Sequence, residues 1–539
     1  MDDFIHDIIV VGSGMVSAQS AQTLVEAGLK VCMLDVGYKD DYYKNITPAE
    51  SFHTIRHNNE NQHEIFLGKN LESLQTGGIK IGAQLTPGRF HLLKNVDKYL
   101  TVKSDNFFPY ESLAYGGLGA GWGAGAFTYS DLEIEAMGLE KKSLNEAYNV
   151  IADRIGISGS RDDGSVFCND KLIQLQSPIE LDINNSLIYD RYLKHKSKIN
   201  SLNTFLGRSN LAVLTKDVTD RKKLDGREMT FYDDLGESVY RPWITVNKLL
   251  KNGNFLFKPG NLITHFVEKA DYIEVHALDV SDNLRKMFKC KKLVLGTGVM
   301  STARVVLRSF SSSAKLPILC NPYSYLSAIN PRRIGRAFEK DKNGLSQLFM
   351  FYDKYRSNMD VSTCSFYSYG SLLSFRVIKA MPLNMRDSRL LMKYLMPALT
   401  VIGIHHPEKQ SASKFLFLEP HSSNLTGDIL NINYQLSDAE KRENYGREGV
   451  LLNVLKALGL IPLKKISTAM GGSIHYCGTM PFSSANKIFT LNLNGKLGTT
   501  KNIFVADGSG FKYLPAKGIS LTLMANAHLV AKNIISECA

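Results

Sequence analysis

The stretch HDIIVVGSGMVSAQSAQTLVEAGLKVCMLDVG, residues 6–37, has the order strand, tight turn, helix, strand, acid. Its first part is apolar and β-branched, as expected of a buried parallel strand. Gly12 and Gly14 permit a turn in which backbone N–H groups approach a phosphate. The helix that follows ends at Gly28, and its N-terminus offers a partial positive charge to anions. Asp35 ends the second strand, where a carboxylate can accept hydrogen bonds from ribose hydroxyls.

This order of elements predicts a dinucleotide-binding unit, with Ser13 and Met15 of the turn as further contacts. Ser17 replaces the third glycine of the usual fingerprint, and its side chain is small enough for the helix to pack on the strand. Asp35 favours a ligand with a free 2′-hydroxyl, which means FAD or NAD rather than NADP. A strand–helix–strand unit that binds no nucleotide is the alternative.

Three further stretches combine glycine turns with the ends of strands or helices. Residues 115–132, YGGLGAGWGAGAFTYSDL, are too rich in glycine for a stable helix or strand and suit a loop lying against a flat ligand. Residues 289–309, KCKKLVLGTGVMSTARVVLRS, predict a second strand–turn–helix crossing. Residues 502–530, NIFVADGSGFKYLPAKGISLTLMANAHLV, predict a strand ending at Asp507 and a helix beginning near Ser520 with free N–H groups.

Together these stretches resemble the glucose–methanol–choline family of FAD oxidoreductases. The matching motifs are the N-terminal fingerprint, GGLGAGWGAG…SDL, LVLGTGVMSTARVVL and IHYCGT…NIFVADGSGF…P…LTLMANA, in that order. The resemblance implies an α/β fold, in which a Rossmann-like FAD-binding domain with a mostly parallel sheet carries an α+β substrate domain with an antiparallel sheet. It implies FAD contacts at Gly12, Ser13, Gly14, Met15, Asp35, Gly116, Gly117, Gly119, Gly121, Trp122, Gly123, Ile263, Gly296, Asp507, Gly508, Gly518 and Ile519.

The stretch GGSIHYCGTM, residues 471–480, places His475 in a His-x-x-Gly-Thr sequence that matches the family's active-site base. A histidine suits this role because its pKa lies near neutrality. The implied reaction is oxidation of a hydroxyl group, with His475 accepting the hydroxyl proton and hydride passing to flavin N5. A core histidine is the structural alternative. Cys477 is expected to be a small buried residue rather than a nucleophile.

The chain departs from the family at two positions that concern the cofactor and the substrate. Gly121 stands where some members carry the histidine that attaches FAD covalently, so the flavin is expected to be noncovalent. Gly518 stands where members usually have a second histidine or asparagine, and Lys517 beside it is a candidate replacement. This departure favours, as alternatives to alcohol oxidation, a flavin-dependent reductase, a redox-neutral isomerase or a flavin-binding scaffold without turnover.

Composition narrows the class of protein and its partners. The chain has 539 residues, 44% hydrophobic and 22% charged, and no apolar run long enough for a transmembrane helix. Its N-terminus lacks the features of a secretory signal, and its seven cysteines form no C-x-x-C pair, so a cytoplasmic protein without a disulfide framework or a metal site is expected. The net charge of +12 is dispersed, which argues against nucleic acid. It leaves an anionic or phosphorylated alcohol, or peripheral membrane contact, as alternatives.

The motif positions predict a discontinuous FAD-binding domain formed by residues 1–130, 250–315 and 465–539. Residues 131–249 and 316–464 are then the substrate domain. Within it, the stretches 397–420 and 427–436 alternate in polarity and predict antiparallel strands over the flavin. His405 and His406 lie there and are minor site candidates. The segment NMRDSRLLMKYLMPAL, residues 384–399, is expected to be a packed helix. The sequence does not identify the substrate, the electron acceptor or the oligomeric state.

Overall fold

The computed structural model describes residues 4–48, 50, 54–55, 58–71, 87–225, 236–337, 339, 342, 344–368 and 382–538. The strands in these ranges are β1 Ile5–Val11, β2 Val31–Leu34, β3 Val102–Lys103, β4 Thr204–Arg208, β5 Phe255–Lys258, β6 Asn261–Glu268, β7 Ile273–Asp279, β8 Arg285–Leu295, β9 Leu316–Pro317, β10 Leu319–Cys320, β11 Tyr323–Ile329, β12 Leu348–Tyr352, β13 Ser362–Ser368, β14 Leu399–His405, β15 Glu408–Lys409, β16 Lys414–Pro420, β17 Asp428–Tyr434, β18 Ile461–Ser467, β19 Tyr476–Cys477, β20 Ile503–Val505 and β21 Tyr513–Leu514.

The α-helices in the same ranges are α1 Met15–Glu26, α2 Tyr43–Ile46, α3 Gln62–Leu67, α4 Val96–Tyr99, α5 Asp131–Met137, α6 Lys141–Ile155, α7 Ser165–Cys168, α8 Ile183–Asn200, α9 Pro242–Leu249, α10 Val299–Ser309, α11 Met385–Leu395, α12 Asp438–Ala457 and α13 Ser520–Cys538. Short 3-10 helices are Pro87–Leu93, Gly117–Gly121, Pro331–Arg333, Met396–Ala398 and Gly508–Gly510. Ser130 caps α5 and Ser437 caps α12. The hydroxyl of each serine accepts the backbone N–H of the glutamate three residues later, and the side chain of that glutamate accepts the backbone N–H of the serine.

The larger sheet has the strand order β5-β2-β1-β8-β7-β6 among the described strands, and β20 also pairs with β8. The pairs of β1 with β2 and with β8, of β2 with β5 and of β20 with β8 are parallel. β6 and β7 add an antiparallel edge. Ends of strands from both chain termini and the centre therefore meet at one edge, which confirms the Rossmann-like part of the predicted α/β fold.

A second sheet, antiparallel throughout, has the order β18-β11-β14-β13-β12-β4 in the described ranges. The largest hydrophobic cluster contains Ile9 and Ile263 from the first sheet and Phe349 and Phe351 from the second, so a common core joins them. The strands predicted in residues 397–420 and 427–436 are present as β14, β16 and β17 and pair antiparallel, but only β14 belongs to this sheet. β16 and β17 pair with each other in a separate sheet of order β3-β17-β16-β9, because each pairs along its full length with the other. The division into two domains remains a prediction.

The serine that replaces the third fingerprint glycine fills the space between α1 and β8. Ser17 is fully buried, and its hydroxyl donates either to the Val11 carbonyl at 2.8 Å or to the Gly296 carbonyl at 3.1 Å. A Cβ placed on Gly296 would lie well inside contact distance of the Ser17 hydroxyl. Ser17 and Gly296 are therefore sterically coupled, although they are far apart in sequence.

We expect Gly296→Ala to lower the free energy of unfolding by about 1–3 kcal/mol, because the added methyl overpacks the contact with Ser17. The double variant Gly296→Ala with Ser17→Gly removes the obstructing hydroxyl and should recover part of that loss. Denaturant unfolding of the wild type, both single variants and the double variant measures the coupling. Strictly additive effects in this cycle would contradict the contact.

The helix expected to pack against the protein is mostly exposed. α11 is present and is capped by Asn384, but Met385, Leu390 and Tyr394 on it are exposed. The predicted helix is present, and it packs on the protein through Met392, which lies in a small hydrophobic cluster with Leu399; only Ser388 and Met392 of α11 are buried. None of the helices in the described ranges has the length and apolar composition that a bilayer crossing requires. Peripheral membrane contact stays a prediction.

Candidate active site

A cavity of about 380 Å³ lies where the carboxyl edge of the parallel sheet faces the antiparallel sheet. The fingerprint turn, the glycine-rich loop and the start of α13 line it from one side, and strands β11, β13 and β14 line it from the other. Most of the predicted cofactor contacts line this cavity: Gly12, Ser13, Gly14, Met15, Asp35, Gly117, Gly119, Gly121, Trp122, Gly123, Ile263, Gly296, Asp507, Gly508, Gly518 and Ile519.

The end of the cavity nearest α1 combines backbone donors with a buried acid. Gly12 has a φ of +92°, and α1 begins at Met15 with Gly14 as its N-cap. The Ser13 hydroxyl donates to the Asp35 carboxylate and accepts the Gly116 N–H at 2.8 Å. Burial raises the pKa of Asp35 to about 6, against the lowering effect of the Ser13 and Val36 hydrogen bonds. Asp35 therefore faces the cavity as an acceptor. Gly116 does not line the cavity; its N–H donates to the Ser13 hydroxyl.

The glycine-rich loop forms the wall beside this acid. Within the predicted loop, residues Gly117–Gly121 form a short 3-10 helix. A Cβ on Gly119 would lie 2.6 Å from Pro242, and one on Gly121 would lie 2.6 Å from Leu92. Since the packing behind the loop leaves no space for side chains at these two positions, the loop lines the cavity there with its backbone. The Trp122 indole N–H donates to the Tyr240 carbonyl at 2.7 Å, which anchors the loop.

Charged side chains in the cavity wall are compensated by neighbours. Arg304 on α10 donates to both carboxylate oxygens of Glu111 at 2.7 Å, and Arg308 forms the same kind of pair with Asp428. Asp507 accepts from the Thr302 hydroxyl at 2.6 Å and from the Ser509 hydroxyl and N–H, so both of its carboxylate oxygens are used within the protein. Asp507 thus ties α10 to the end of β20.

His475 lines the cavity and has a defined tautomer. Its Nδ1 lies 3.0 Å from Oδ1 of Asn321. The Asn321 amide nitrogen faces the carbonyls of His406, Pro515 and Leu514 at 2.8, 3.1 and 3.4 Å, which fixes Oδ1 toward the histidine. Nδ1 must therefore carry the proton and donate, which leaves Nε2 as an acceptor. Burial lowers the pKa of His475 to about 4, so the ring is neutral at neutral pH.

The contact between His475 and Asn321 follows from local strand pairing. β10 and β19 pair antiparallel, with Cys320 opposite Tyr476, so the next residue of one strand meets the preceding residue of the other. Asn321 was not predicted, because its partner is 154 positions away. Asn321 is buried between β10 and β11, but neither its burial nor its partner can be seen in the sequence.

One face of the antiparallel sheet lines the opposite wall. Alternate residues of its strands point into the cavity, as the period of a strand requires, and they are Tyr323, Tyr325, Phe349, Thr363, Ser365, Tyr367 and His405. None of these described residues carries a charged group at neutral pH, since burial lowers the pKa of His405 well below its usual value. Tyr323 lies over Gly403, where a Cβ would stand 2.7 Å from the phenol oxygen. Sequence reasoning missed these residues, apart from His405, although Tyr323-x-Tyr325 alternates visibly.

Two candidates do not reach the cavity. The Lys517 ammonium group is fully buried and donates to Glu133 at 2.6 Å, with the amide oxygen of Asn358 at 3.5 Å. It is thus neither a solvated loop lysine nor a lining residue, and the structure does not place it where it could meet a substrate. Cys477 is buried and its Sγ lies 3.9 Å from the Tyr513 carbonyl; burial raises the pKa of its thiol far above the usual value. A nucleophilic role for Cys477 has no support.

The glycine at position 518 is held by packing. An added Cβ would lie 2.9 Å from the ring of Phe127 and 3.2 Å from the Gly125 carbonyl. Phe127 cannot retreat easily, because its ring makes edge contacts with Phe349 and Phe351. A histidine or asparagine at 518 would therefore require repacking of this aromatic cluster.

Comparison with known proteins supports the fold. No profile of a known protein family and no curated protein sequence matches the chain. Among solved structures, the crystal structure of pyridoxine 4-oxidase from Mesorbium loti is similar, with a TM-score of 0.61 and 12% sequence identity. The similarity covers 98% of each chain. The chain thus has the fold of that protein over nearly its full length.

Proposed function

We propose that the chain is an FAD-dependent oxidoreductase of the glucose–methanol–choline family that oxidises a hydroxyl group. The observation that carries the proposal is that the dinucleotide cradle and the acceptor nitrogen of His475 open into one cavity. The similar fold of an oxidase, pyridoxine 4-oxidase, supports it. A scaffold without turnover would not require a neutral imidazole with an acceptor nitrogen at this position, and a reductase that protonates its product would need a donor there.

The residues at the α1 end fit FAD. Gly12 and Gly14 open the first turn of α1 to a pyrophosphate, and Asp35 is a buried acceptor that ribose hydroxyls can satisfy. The glycine-rich loop offers backbone to a flat ring, and the start of α13 lines the cavity with Gly518, Ile519 and Ser520. Because Gly121 provides no nucleophile, we propose that FAD is held noncovalently. When bound, FAD supplies the acceptor for the hydride of the alcohol carbon.

His475 is the proposed general base. Its Nε2 accepts the hydroxyl proton, while Nδ1 keeps its own proton and donates it in a hydrogen bond to Asn321 throughout. The alcohol oxygen keeps the electron pair of its former O–H bond, which becomes the carbonyl bond of the product as the carbon loses hydride. Asn321 holds the imidazole in the tautomer that this step requires. The arrangement lowers the barrier mainly by orientation, because the O–H bond and the C–H bond of the alcohol must be positioned at the same time.

The substrate is proposed to be an uncharged alcohol with a flat or aromatic body. The wall formed by the antiparallel sheet presents three tyrosines, Phe349, two small hydroxyl residues and His405. The arginines of the described wall are paired with Glu111 and Asp428 and are not available to a phosphate. Pyridoxine, the substrate named for the structurally similar oxidase, is a first candidate of this chemical type. The expectation of an anionic or phosphorylated substrate has no counterpart in the described wall.

Loading and reduction test the function. The purified holoprotein should be yellow and release FAD on denaturation. Anaerobic mixing with pyridoxine, benzyl alcohol, polyols and sugars should bleach the flavin with at least one of them. A protein that cannot be loaded with FAD would refute the proposal entirely. A loaded protein that no alcohol bleaches would refute the oxidation of alcohols but keep the cofactor. Repeating the reaction in air distinguishes an oxidase from a dehydrogenase.

The reductive step should tolerate acid. The neutral imidazole is the active form, and burial has lowered the pKa of His475 to about 4. The limiting rate of anaerobic bleaching should therefore stay level as the pH falls through about 6.5, the ordinary histidine pKa, and decline only near pH 4. Stopped-flow absorbance at a series of pH values, with circular dichroism to confirm folding, checks this. A decline centred near pH 6.5 would contradict the buried environment of the base.

A further inference from the structure

We propose that His405 supplies the second hydrogen bond to the substrate oxygen, from the antiparallel sheet, in the place of a side chain at position 518. The proposal rests on the proposed function, since it names a second catalytic residue of the same site. It assigns His405 a direct contact with the alcohol. The two histidines would then hold one oxygen between them.

The geometry of the two imidazoles supports this assignment. The rings of His405 and His475 are nearly parallel, with their centroids 5.1 Å apart and an interplanar angle of 19°. Both rings are partly exposed, and both line the cavity. One oxygen that bonds to two nitrogens over about 2.7–3.0 Å each, at a roughly tetrahedral angle, holds those nitrogens about 4.5–5 Å apart. The centroid separation of 5.1 Å places the two rings close enough for a shared contact of this kind.

The position of His405 is held by its neighbours. The ring of Tyr323 stacks on that of His405, with centroids 4.0 Å apart and an interplanar angle of 21°. The two residues are direct partners in the register of β11 and β14, and Thr363 of β13 is the partner on the other side. Among the described residues, none forms a hydrogen bond with the ring nitrogens of His405. A ring fixed by stacking but with unused polar atoms at a cavity is suited to bind a polar ligand group.

The protonation states of the pair are complementary. Nε2 of His475 is an acceptor, because Asn321 holds the proton on Nδ1. His405 is also neutral, because burial lowers its pKa, with smaller contributions from His475 and His406. A neutral imidazole always carries one N–H, so His405 can donate to the alcohol oxygen while His475 accepts from it. That donor would stabilise the negative charge that develops on the oxygen as its proton leaves.

The packing around Gly518 explains why the donor comes from elsewhere. Phe127 occupies the space that a side chain at 518 would need, and Phe127 packs on Phe349 of the same sheet that carries His405. Through Phe349 and Phe127, the antiparallel sheet therefore leaves no space for a side chain at position 518, and the same sheet presents the imidazole of His405 to the cavity. The departure in sequence is compensated within the structure.

Paired substitutions test the proposal. His405→Phe keeps a stacking ring and removes the N–H, whereas His405→Gln keeps a donor and removes the ring. The holoproteins are compared by anaerobic stopped-flow bleaching with the fastest alcohol of the screen, starting with pyridoxine. We expect His405→Phe to lower the limiting rate about 10²–10³-fold, as for loss of one oxyanion donor. His405→Gln should recover at least about tenfold of that loss. His421→Phe, the same change at an exposed turn, is the control.

The concentration dependence separates the limiting rate from the apparent dissociation constant of the alcohol, and flavin absorbance gives the FAD content. A loss confined to the limiting rate, with full FAD content and rescue by glutamine, supports the donor role. A His405→Phe variant that bleaches at the wild-type rate overturns the proposal, as does a loss that glutamine does not reduce. If no alcohol bleaches even the wild type, the proposed function fails and this proposal fails with it.

Discussion

Replacing His475 with alanine is expected to slow anaerobic flavin reduction by the best alcohol about 10²–10⁴-fold, the usual contribution of a general base. The physical reason is that Nε2 is the acceptor nitrogen in the cavity, while Nδ1 is committed to Asn321. The FAD content should be unchanged, because His475 faces the antiparallel sheet rather than the fingerprint turn. Stopped-flow absorbance measures the rate, and released FAD measures the content.

Two additions make the experiment specific to the base. Added imidazole should restore part of the activity of His475→Ala, since the cavity left by the side chain can admit a diffusible base, whereas it should not affect the wild type. His421→Ala, in an exposed turn, is the matched control and should bleach at the wild-type rate. Normal bleaching by a fully loaded His475→Ala variant would show that the base lies elsewhere.

Replacing Asp35 with alanine should weaken FAD binding about 10²-fold. The substitution removes a buried carboxylate that lines the cavity, and hydrogen bonds to a charged group are each worth about 1.5–3 kcal/mol. It also removes the acceptor that orients the Ser13 hydroxyl, which in turn receives the Gly116 N–H. The increase in flavin fluorescence as FAD dissociates from the diluted holoprotein gives the dissociation constant.

Asp35→Asn keeps one acceptor oxygen and should lose less affinity than Asp35→Ala. The control is Asp7→Ala. The side chain of Asp7 is 44% exposed and pairs with Lys291, at the end of β1 that is farther from the fingerprint turn. It should bind FAD as tightly as the wild type. Equal affinities for Asp35→Ala and the wild type would exclude the ribose as the partner of Asp35.

The parts of the fold that the sequence predicted are those encoded over short distances. The fingerprint strand, the turn at Gly12 and the acid at Asp35 lie within one supersecondary unit, and α13 begins at Ser520 as expected. The strand predicted within residues 427–436 also appears, as β17. Each depends on apolar periodicity and on residues that favour a turn or a cap, which are properties of adjacent positions.

The parts that the sequence did not predict depend on contacts between distant segments. Alternation predicted strands near 400 and 430 but not that they belong to different sheets, since strand pairing is not encoded in either strand alone. Lys517 was a candidate site residue, yet its ammonium group donates to Glu133, which is 384 positions away in the sequence. Asn321 and the stacking of His405 on His475 were missed for the same reason. In α11, the apolar stripe correctly predicted a helix but not its exposure.

The three carbonyls that accept from the Asn321 amide belong to His406, just after β14, and to the segment Leu514–Pro515 at the end of β21. The tautomer of His475 is therefore fixed only when both segments have assembled around that asparagine. The proposed FAD contacts in the fingerprint turn do not depend on that asparagine, so we expect a refolding chain to bind FAD before the tautomer of His475 is fixed. In a refolding time course, flavin fluorescence quenching should thus precede the return of turnover.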